Sequence, residues 1–468
     1  MTGKRKRKLA MPDTLIIVAS VVLLVAILFW IIPSGTYDYQ EMNINGRIRN
    51  VAIDGTYHTI DKSEVTTTGF LGFFSVLYRG CVEAADVIFM ILCCCGTFGV
   101  VVKTGAFHAG IGTILKKLKG KEILLVPIIM MIFGLGGSVF GMASEFYGFY
   151  PLIVGLGVAL GYDAMFGFAI IAVGEFVGFM GATLNPYSVG IAQTISGVEL
   201  YSGTGYRAIC FVIFMAISII YVMVYGRKIK KNPGASVVFG EKNIHAFDRD
   251  ELNEYSFTLK DGLVLLDVLV VLVVLMLGLI KWGWDFPQLC GLFLLMSMIA
   301  AAICKWSPNK WCSEFIDSAK TAMWGCILTG IAKAITVVMQ DAQIMDTVIY
   351  GLSNVLKNAP HAVSAQVMLV VQTLINFFIP SATGQASATM PIMAQLADII
   401  GVSRQTAVLA FQFGDGLSNI FWPTADIVII CGLGGISLQK WYKWFTPLFL
   451  FLFVTQAILL GIATGIGF

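Results

Sequence analysis

Residues 377–401 read FFIPSATGQASATMPIMAQLADIIG. An apolar run stops at Pro380, and the residues that follow are Ser, Ala, Thr, Gly, Gln, Ala and Ser. The chain around this stretch is 57% hydrophobic and 13% charged, with a mean hydropathy of +0.83. A soluble domain carries about 25% charged residues, and several runs here reach the ~20 apolar residues that cross a bilayer. The chain is therefore read as a polytopic membrane protein, and its net charge of +3 says little about partners. Polar, glycine-broken backbone at membrane depth is tolerated only where protein or a wet cavity satisfies it. The stretch reads as the tip of a re-entrant helical hairpin.

A second tip, GLGGSVFGMASE (134–145), lies in the first half of the chain. Other landmarks repeat in the same order. Val100 aligns with Val337, Pro151 with Pro391, Gly174-Glu175 with Gly414-Asp415, and Pro186 with Pro423. Positive charge sets the orientation of the two halves. Lys116, Lys117, Lys119 and Lys121 cluster before the first tip, whereas the matching segment carries Asp341 and Asp346 against Lys357. Arg227, Lys228, Lys230 and Lys231 mark a further cytoplasmic loop, as do Lys305 and Lys310. The halves come out inverted if 121–161 and 362–401 each enter and leave on one side. Arg404 is the dissenting charge, on the outer side in this scheme.

The expected fold is all-α: two inverted repeats, about nine transmembrane helices and two re-entrant hairpins. Spans are expected at 14–32, 81–102, 164–196, 206–226, 262–281, 288–305, 319–339, 404–432 and 444–466. Residues 1–80 hold a cytoplasmic tail, the first span and an extracytoplasmic loop. Residues 81–231 form the first repeat, 232–261 a cytoplasmic linker, and 262–468 the second repeat. The N-terminus is expected in the cytoplasm and the C-terminus outside. The basic start MTGKRKRKLAMPD precedes an apolar run too long for a signal peptide, with no small-x-small cleavage site. Two amphipathic segments precede the hairpins, one with Phe107, Ile111, Ile114, Leu115 and Leu118 on a face. The other carries Ile344, Val348, Ile349, Leu352, Val355 and Leu356. Each suits a helix lying flat at the interface or buried sideways against protein.

Each hairpin precedes a span that also breaks, at Asn185-Pro186 and between Asn419 and Pro423. Tips facing broken spans near the midplane are the arrangement of a secondary transporter's site. Helix N-termini after the tips supply N–H groups for an anionic substrate group. Ser138 and Ser144 add hydroxyls in the first tip; Ser381, Thr383, Gln385 and Ser387 add polar groups in the second. Glu145, Glu175, Asp415 and Asp426 lie in the tips or broken spans, with Asn185, Asn419 and Thr424 beside the breaks. Glu145 reads equally as a first-turn acid favoured by the dipole, and Asp415 as a partner of broken backbone. A charge at a helix centre costs on the order of 3 kcal/mol, so each acid needs a cavity or a partner. Lys320 can snorkel, whereas Lys333 is deeper, and an acid that the sequence does not identify is one expected partner.

The ten cysteines and four histidines show no zinc spacing or ligand cluster, and there is no Walker A motif. No His-rich metal set or Ser/Lys pair suggests an enzyme. No cofactor is expected beyond a coupling ion: sodium near Asn185 and Asn419, or protons. A channel would share the midplane polarity; saturable uptake and counterflow separate the two.

At these motifs the sequence resembles the YfcC/DcuC-type carriers of the ion-transporter superfamily. The resembling segments are FGMASEFYGFYPLIVGLGVALGYDA, GATLNPYSVGIA and, most specifically, PSATGQASATMPIMAQLADIIGVSRQTAVLAFQFGDGLSN. The resemblance covers most of the chain outside 34–68 and 232–260. It implies a homodimer in the inner (plasma) membrane, an elevator-type mechanism, and basic amino acids or C4-dicarboxylates as substrates. Relatives often carry two adjacent acids where this chain has Ser144-Glu145 and a small residue where Glu175 stands. They usually continue Thr-Ser-Gly where it has Thr424-Ala425-Asp426. Four acids without a local base suit a cationic or zwitterionic amino acid. A dicarboxylate coupled to sodium or protons is the alternative. No nucleic-acid partner is expected.

Overall fold

The computed structural model describes residues 14–44, 47–65, 70–118, 122–241, 245, 256–357 and 363–468. Lys119 and Lys121 of the basic cluster, the N-terminal basic tail and most of the 232–261 linker's second half lie outside them. So do the side chains of Ile114, Leu115, Lys117, Leu118 and Val355.

Helix α1 (Thr14–Ile31) leads into two antiparallel strand pairs. β1 (Gly35–Thr36) pairs with β4 (His58–Thr59), and β2 (Tyr39–Ile44) with β3 (Arg47–Ala52). α2 (Phe70–Glu83) and α3 (Ala85–Lys103) follow, parted only at Ala84, then the amphipathic α4 (Ala106–Leu118). The first hairpin consists of α5 (Leu125–Leu135), a wide helical turn over Gly136–Phe140, a tip, and α6 (Phe149–Ala159). α7 (Ala164–Met180) breaks and resumes through Pro186–Gly190 as α8 (Ile191–Ile195), before α9 (Thr204–Lys231). The second half runs α10 (Leu259–Lys281), α11 (Phe286–Ile303), α12 (Pro308–Lys320), α13 (Met323–Asp341) and α14 (Met345–Lys357). Its hairpin is α15 (Ser364–Phe378) and α16 (Ala382–Ile399). α17 (Arg404–Ser418) breaks before α18 (Asp426–Gly434), and α19 (Leu438–Ile466) closes the chain.

The helix starts follow from local chemistry. Asp163, Thr258, Ser307, Ser381 and Ser403 each accept a backbone N–H as N-caps. Pro308 opens α12, where its missing N–H costs nothing. Among the described residues, six helices (α3, α9, α10, α11, α13 and α19) are long and apolar enough to cross a membrane. At 1.5 Å per residue the 11-residue α6 is about 16 Å long, roughly half a hydrocarbon core. α10 exposes Leu263, Leu266, Leu269, Val270 and Val273, and α19 exposes Leu450, Phe451, Val454, Ile458 and Ile462. Rows of this kind suit lipid.

Two bundles result. α2 and α1 run along α13, α11 and α12 along α3, and α4 along α10. α2 and α13 meet through glycine: a Cβ on Gly80 would stand 2.3 Å from the Gly330 carbonyl oxygen. Small residues bring membrane helices this close. In the other bundle α5 and α6 pack on α7, and α15 and α16 on α17, while α7 and α17 touch each other. All seventeen residues of α7 are buried.

Three details depart from the sequence expectations. The span expected at 81–102 is preceded by a further helix, α2. The one expected at 319–339 is parted at Thr321-Ala322, because α12 carries Lys310, Glu314, Asp317 and Lys320 and cannot continue as an apolar crossing. The loop at 34–68, expected to cap the outer face, holds strands between Gly35 and Thr59 that are docked on the second half. Asp346 accepts hydrogen bonds from the Tyr37 backbone N–H (2.9 Å), the Thr36 hydroxyl (3.1 Å) and the Tyr39 phenol (2.8 Å). Burial pushes the Tyr39 phenol up from its ordinary value, so it stays a donor. Tyr57 stacks on Tyr350, and β3 packs on α16. Asp346→Ala orphans these donors and is expected to destabilise by about 1–3 kcal/mol. The check is a lowered melting temperature with faster hydrogen exchange over 34–65.

Candidate functional site

The two hairpin tips meet. A cavity of about 540 Å³ is lined by Gly141, Ala143, Ser144 and Glu145 from the first tip and by Ser381, Ala382, Thr383 and Gly384 from the second. Asp86, Tyr187, Trp284 and Asp285 complete its polar and aromatic wall. A second cavity of about 370 Å³ shares Ala143, Ser144, Phe286 and Ser381 with the first. It extends to Glu83, Tyr147, Thr329, Lys333, Thr336, Thr424 and Asp426.

Backbone breaks position these groups. The first hairpin turns through Gly141, whose φ of +69° favours glycine. Glu145 sits in a single turn at Ser144–Phe146 and accepts the Ala143 N–H at 3.0 Å. In the second tip Ser381 caps α16 by accepting the Gly384 N–H, and Thr383 donates to the Tyr187 carbonyl at 3.0 Å. That bond ties the second tip to the first broken helix. Asp426 opens α18 after the second break and accepts the Tyr147 phenol at 2.7 Å. That bond ties the first tip to the second broken helix.

Six of the residues singled out from the sequence line these cavities: Ser144, Glu145, Ser381, Thr383, Thr424 and Asp426. The other seven are placed elsewhere. Ser138 donates to the Gly181 carbonyl (3.1 Å), bracing the first break. Asn185 caps the turn after that break and donates to the Gly137 carbonyl. Glu175 is fully buried and accepts the Tyr150 phenol at 2.8 Å. Gln385 donates to Gln372, and Ser387 to the Thr383 carbonyl. Asn419 accepts from Asn376, which also donates to the Asp415 carbonyl and the Ser418 hydroxyl. Asp415 is fully buried; among the described residues its carboxylate oxygens have no close hydrogen-bond partner, and the Asn419 amide is the polar group beside it.

Tyr147, Tyr150, Asn376, Asp86 and Asp285 were missed as site-shaping residues. The tyrosines stand in an aromatic run, and Asn376 is a single amide in the apolar TLINFF; that isolated amide was the available signal. The structure also corrects the view that the acids have no base nearby. Lys333, on α13, lines the same cavity as Asp426.

Residues 11–465 match the DcuC family of C4-dicarboxylate anaerobic carriers. The chain belongs to the DcuC carrier family. It is 32% identical to the Escherichia coli (strain K12) protein named "Putative basic amino acid antiporter YfcC", covering 100% of this chain and 99% of that one. An uncharacterized protein of Haemophilus influenzae is 27% identical over 99% of both chains. Among solved structures, the Alcanivorax borkumensis YdaH transporter shares 16% identity at a TM-score of 0.43, over 98% of this chain and 99% of that one. Neisseria gonorrhoeae MtrF shares 15% at 0.43, over 97% and 96%. These two likenesses are distant and bear on no residue. This DcuC-family member is thus a multi-span membrane transporter, and its tip-lined cavities are the candidate substrate site.

Proposed function

We propose that this DcuC-family carrier moves a basic or zwitterionic amino acid across the plasma membrane, by exchange or by coupling to sodium or protons. One observation carries the reading. Among the described residues lining the two cavities, five are carboxylates (Glu83, Asp86, Glu145, Asp285 and Asp426) and one is an ammonium, Lys333. Like charges brought together in a low-dielectric site repel strongly, so a bare dianion is disfavoured and a cation is favoured. The fully buried carboxylate of Asp415, with only the Asn419 amide beside it among the described residues, fits a coupling proton or sodium ion.

The repeat relation between the two halves, on which an elevator of inverted repeats would be built, has support in packing. The matched residues Gly174 and Gly414 make matched contacts. A Cβ on Gly174 would meet Met130 of α5, and one on Gly414 would meet Gln372 of α15. The hairpins and broken helices pack together as one bundle and would move against the other, in a homodimer. For the inverted topology, a cysteine between α4 and α5, in a background without the native cysteines, is expected to label only from the cytoplasm. External labelling would break it.

The deciding experiment is counterflow in proteoliposomes preloaded with lysine, ornithine, arginine, a neutral amino acid or succinate, with and without sodium and a proton gradient. Accumulation of a basic amino acid is the expected result. Accumulation with succinate alone would overturn the reading in favour of the C4-dicarboxylates named in the family's description.

A further inference from the structure

We propose that Lys333 binds the α-carboxylate of the transported amino acid, so that the site selects amino acids over amines of the same side chain lacking that carboxylate. The proposal rests on the amino-acid reading above and adds the residue that reads the carboxylate.

Lys333 lies midway along α13, with Thr329 and Thr336 on the same face. All three line the smaller cavity. Residues three and four apart on a helix are neighbours, so this is one polar stripe on an otherwise apolar helix. The same cavity is lined by Ser381, at the N-terminus of α16, and by Thr424, whose buried hydroxyl has no partner among the described residues. Lys333, the N-terminus of α16 and the hydroxyls of Thr336 and Ser381 line one space, while the Thr329 hydroxyl is spent on the Gly325 carbonyl; such a set suits a carboxylate.

Lys333 is also unspent. Nearby cations are engaged: Arg79 with Asp341, Lys103 with Glu314, and Lys320 with Asp317. Among the described residues Lys333 has no hydrogen bond or ion pair. Asp426, on the same cavity, already accepts the Tyr147 phenol. An ammonium inside a membrane protein is expensive unless it faces a partner or a wet cavity, and a substrate carboxylate supplies the partner.

The division of charge between the cavities fits the rest of the molecule. The smaller one holds Lys333 with Asp426 and Glu83, a mixed environment for a head carrying both carboxylate and ammonium. The larger one holds Asp86, Glu145 and Asp285 and, among its described lining residues, no cation. That suits a second cation at the end of a side chain reaching past Ser144 and Ser381, which line both.

The test compares L-lysine with cadaverine, its decarboxylated counterpart, in binding and counterflow by wild type, Lys333→Met and Lys333→Arg. Wild type is expected to prefer lysine. Lys333→Met is expected to lose lysine by roughly tenfold or more and to raise the cadaverine-to-lysine ratio by at least as much. Lys333→Arg keeps a carboxylate partner and is expected to keep the preference. If Lys333→Met does not fold, Lys333→Gln serves in its place. Equal loss of both substrates, or an unchanged ratio, overturns the assignment and leaves Lys333 as a counter-ion of the protein's own acids. Wild-type transport of succinate alone overturns the amino-acid reading, and this proposal with it.

Discussion

Asp426→Asn is expected to cut counterflow by at least thirtyfold while the protein stays folded. The carboxylate lines the cavity that holds Lys333 and is the acid both closest to the second break and bonded to the first tip. Removing the charge that would face a cationic substrate group in this buried site costs about 2–5 kcal/mol, which sets the thirtyfold lower bound. Asparagine keeps an oxygen to accept the Tyr147 phenol, so the tie between the tip and α18 survives. Tyr147→Phe removes that tie but keeps the charge, and a loss of roughly tenfold or less is expected. Glu175→Gln is expected to cost less than Asp426→Asn, because its side chain lines neither cavity and its bond to Tyr150 can be kept by an amide oxygen. Each variant is read by counterflow beside size-exclusion profile and melting temperature. Wild-type counterflow by Asp426→Asn would remove this residue from the site.

Gly178→Ala is expected to unseat the first hairpin. A Cβ at Gly178 would stand 2.1 Å from the Gly134 carbonyl oxygen and 2.5 Å from the Gly134 Cα. Both contacts are backbone, so no side chain can swing aside, and α5 must shift from α7. Overpacking of this kind costs about 1–3 kcal/mol or more. Alanine's better helix propensity returns up to about 1 kcal/mol, so the net sign measures how rigid the contact is. The expected result is a lower melting temperature, faster hydrogen exchange over 125–159 and impaired transport. Gly205→Ala is the control, since a Cβ there meets nothing within 4 Å. An unchanged melting temperature for Gly178→Ala would show that the hairpin is not held by this crossing.

Much of the helical layout was legible because its causes are local. Apolar length, the Pro380 and Pro186 breaks, and the amphipathic periods of α4 and α14 need only near neighbours in the chain. The strands at 34–65 were not legible, because what orders them is Asp346, some three hundred residues away. The division of 319–339 at Thr321-Ala322 has its cause in the charges of α12, which apolar length alone does not weigh.

The sequence by itself determined that this is a multi-span membrane protein with two polar tips, each followed by a broken helix. Those features depend on which residues can be solvated by lipid and which backbones can stay helical. It also carried the family. Only the tertiary structure decided which polar side chains share a space. Thr383 reaches the Tyr187 carbonyl, Tyr147 reaches Asp426, and Lys333, from a helix of the other bundle, lines the same cavity as Tyr147 and Asp426. Glu145 and Glu175 look alike as isolated acids in an apolar chain, yet one lines a cavity and the other is sealed against Tyr150. The reason is physical. A buried charge is defined by what surrounds it in three dimensions, and here those surroundings come from segments brought together only by packing.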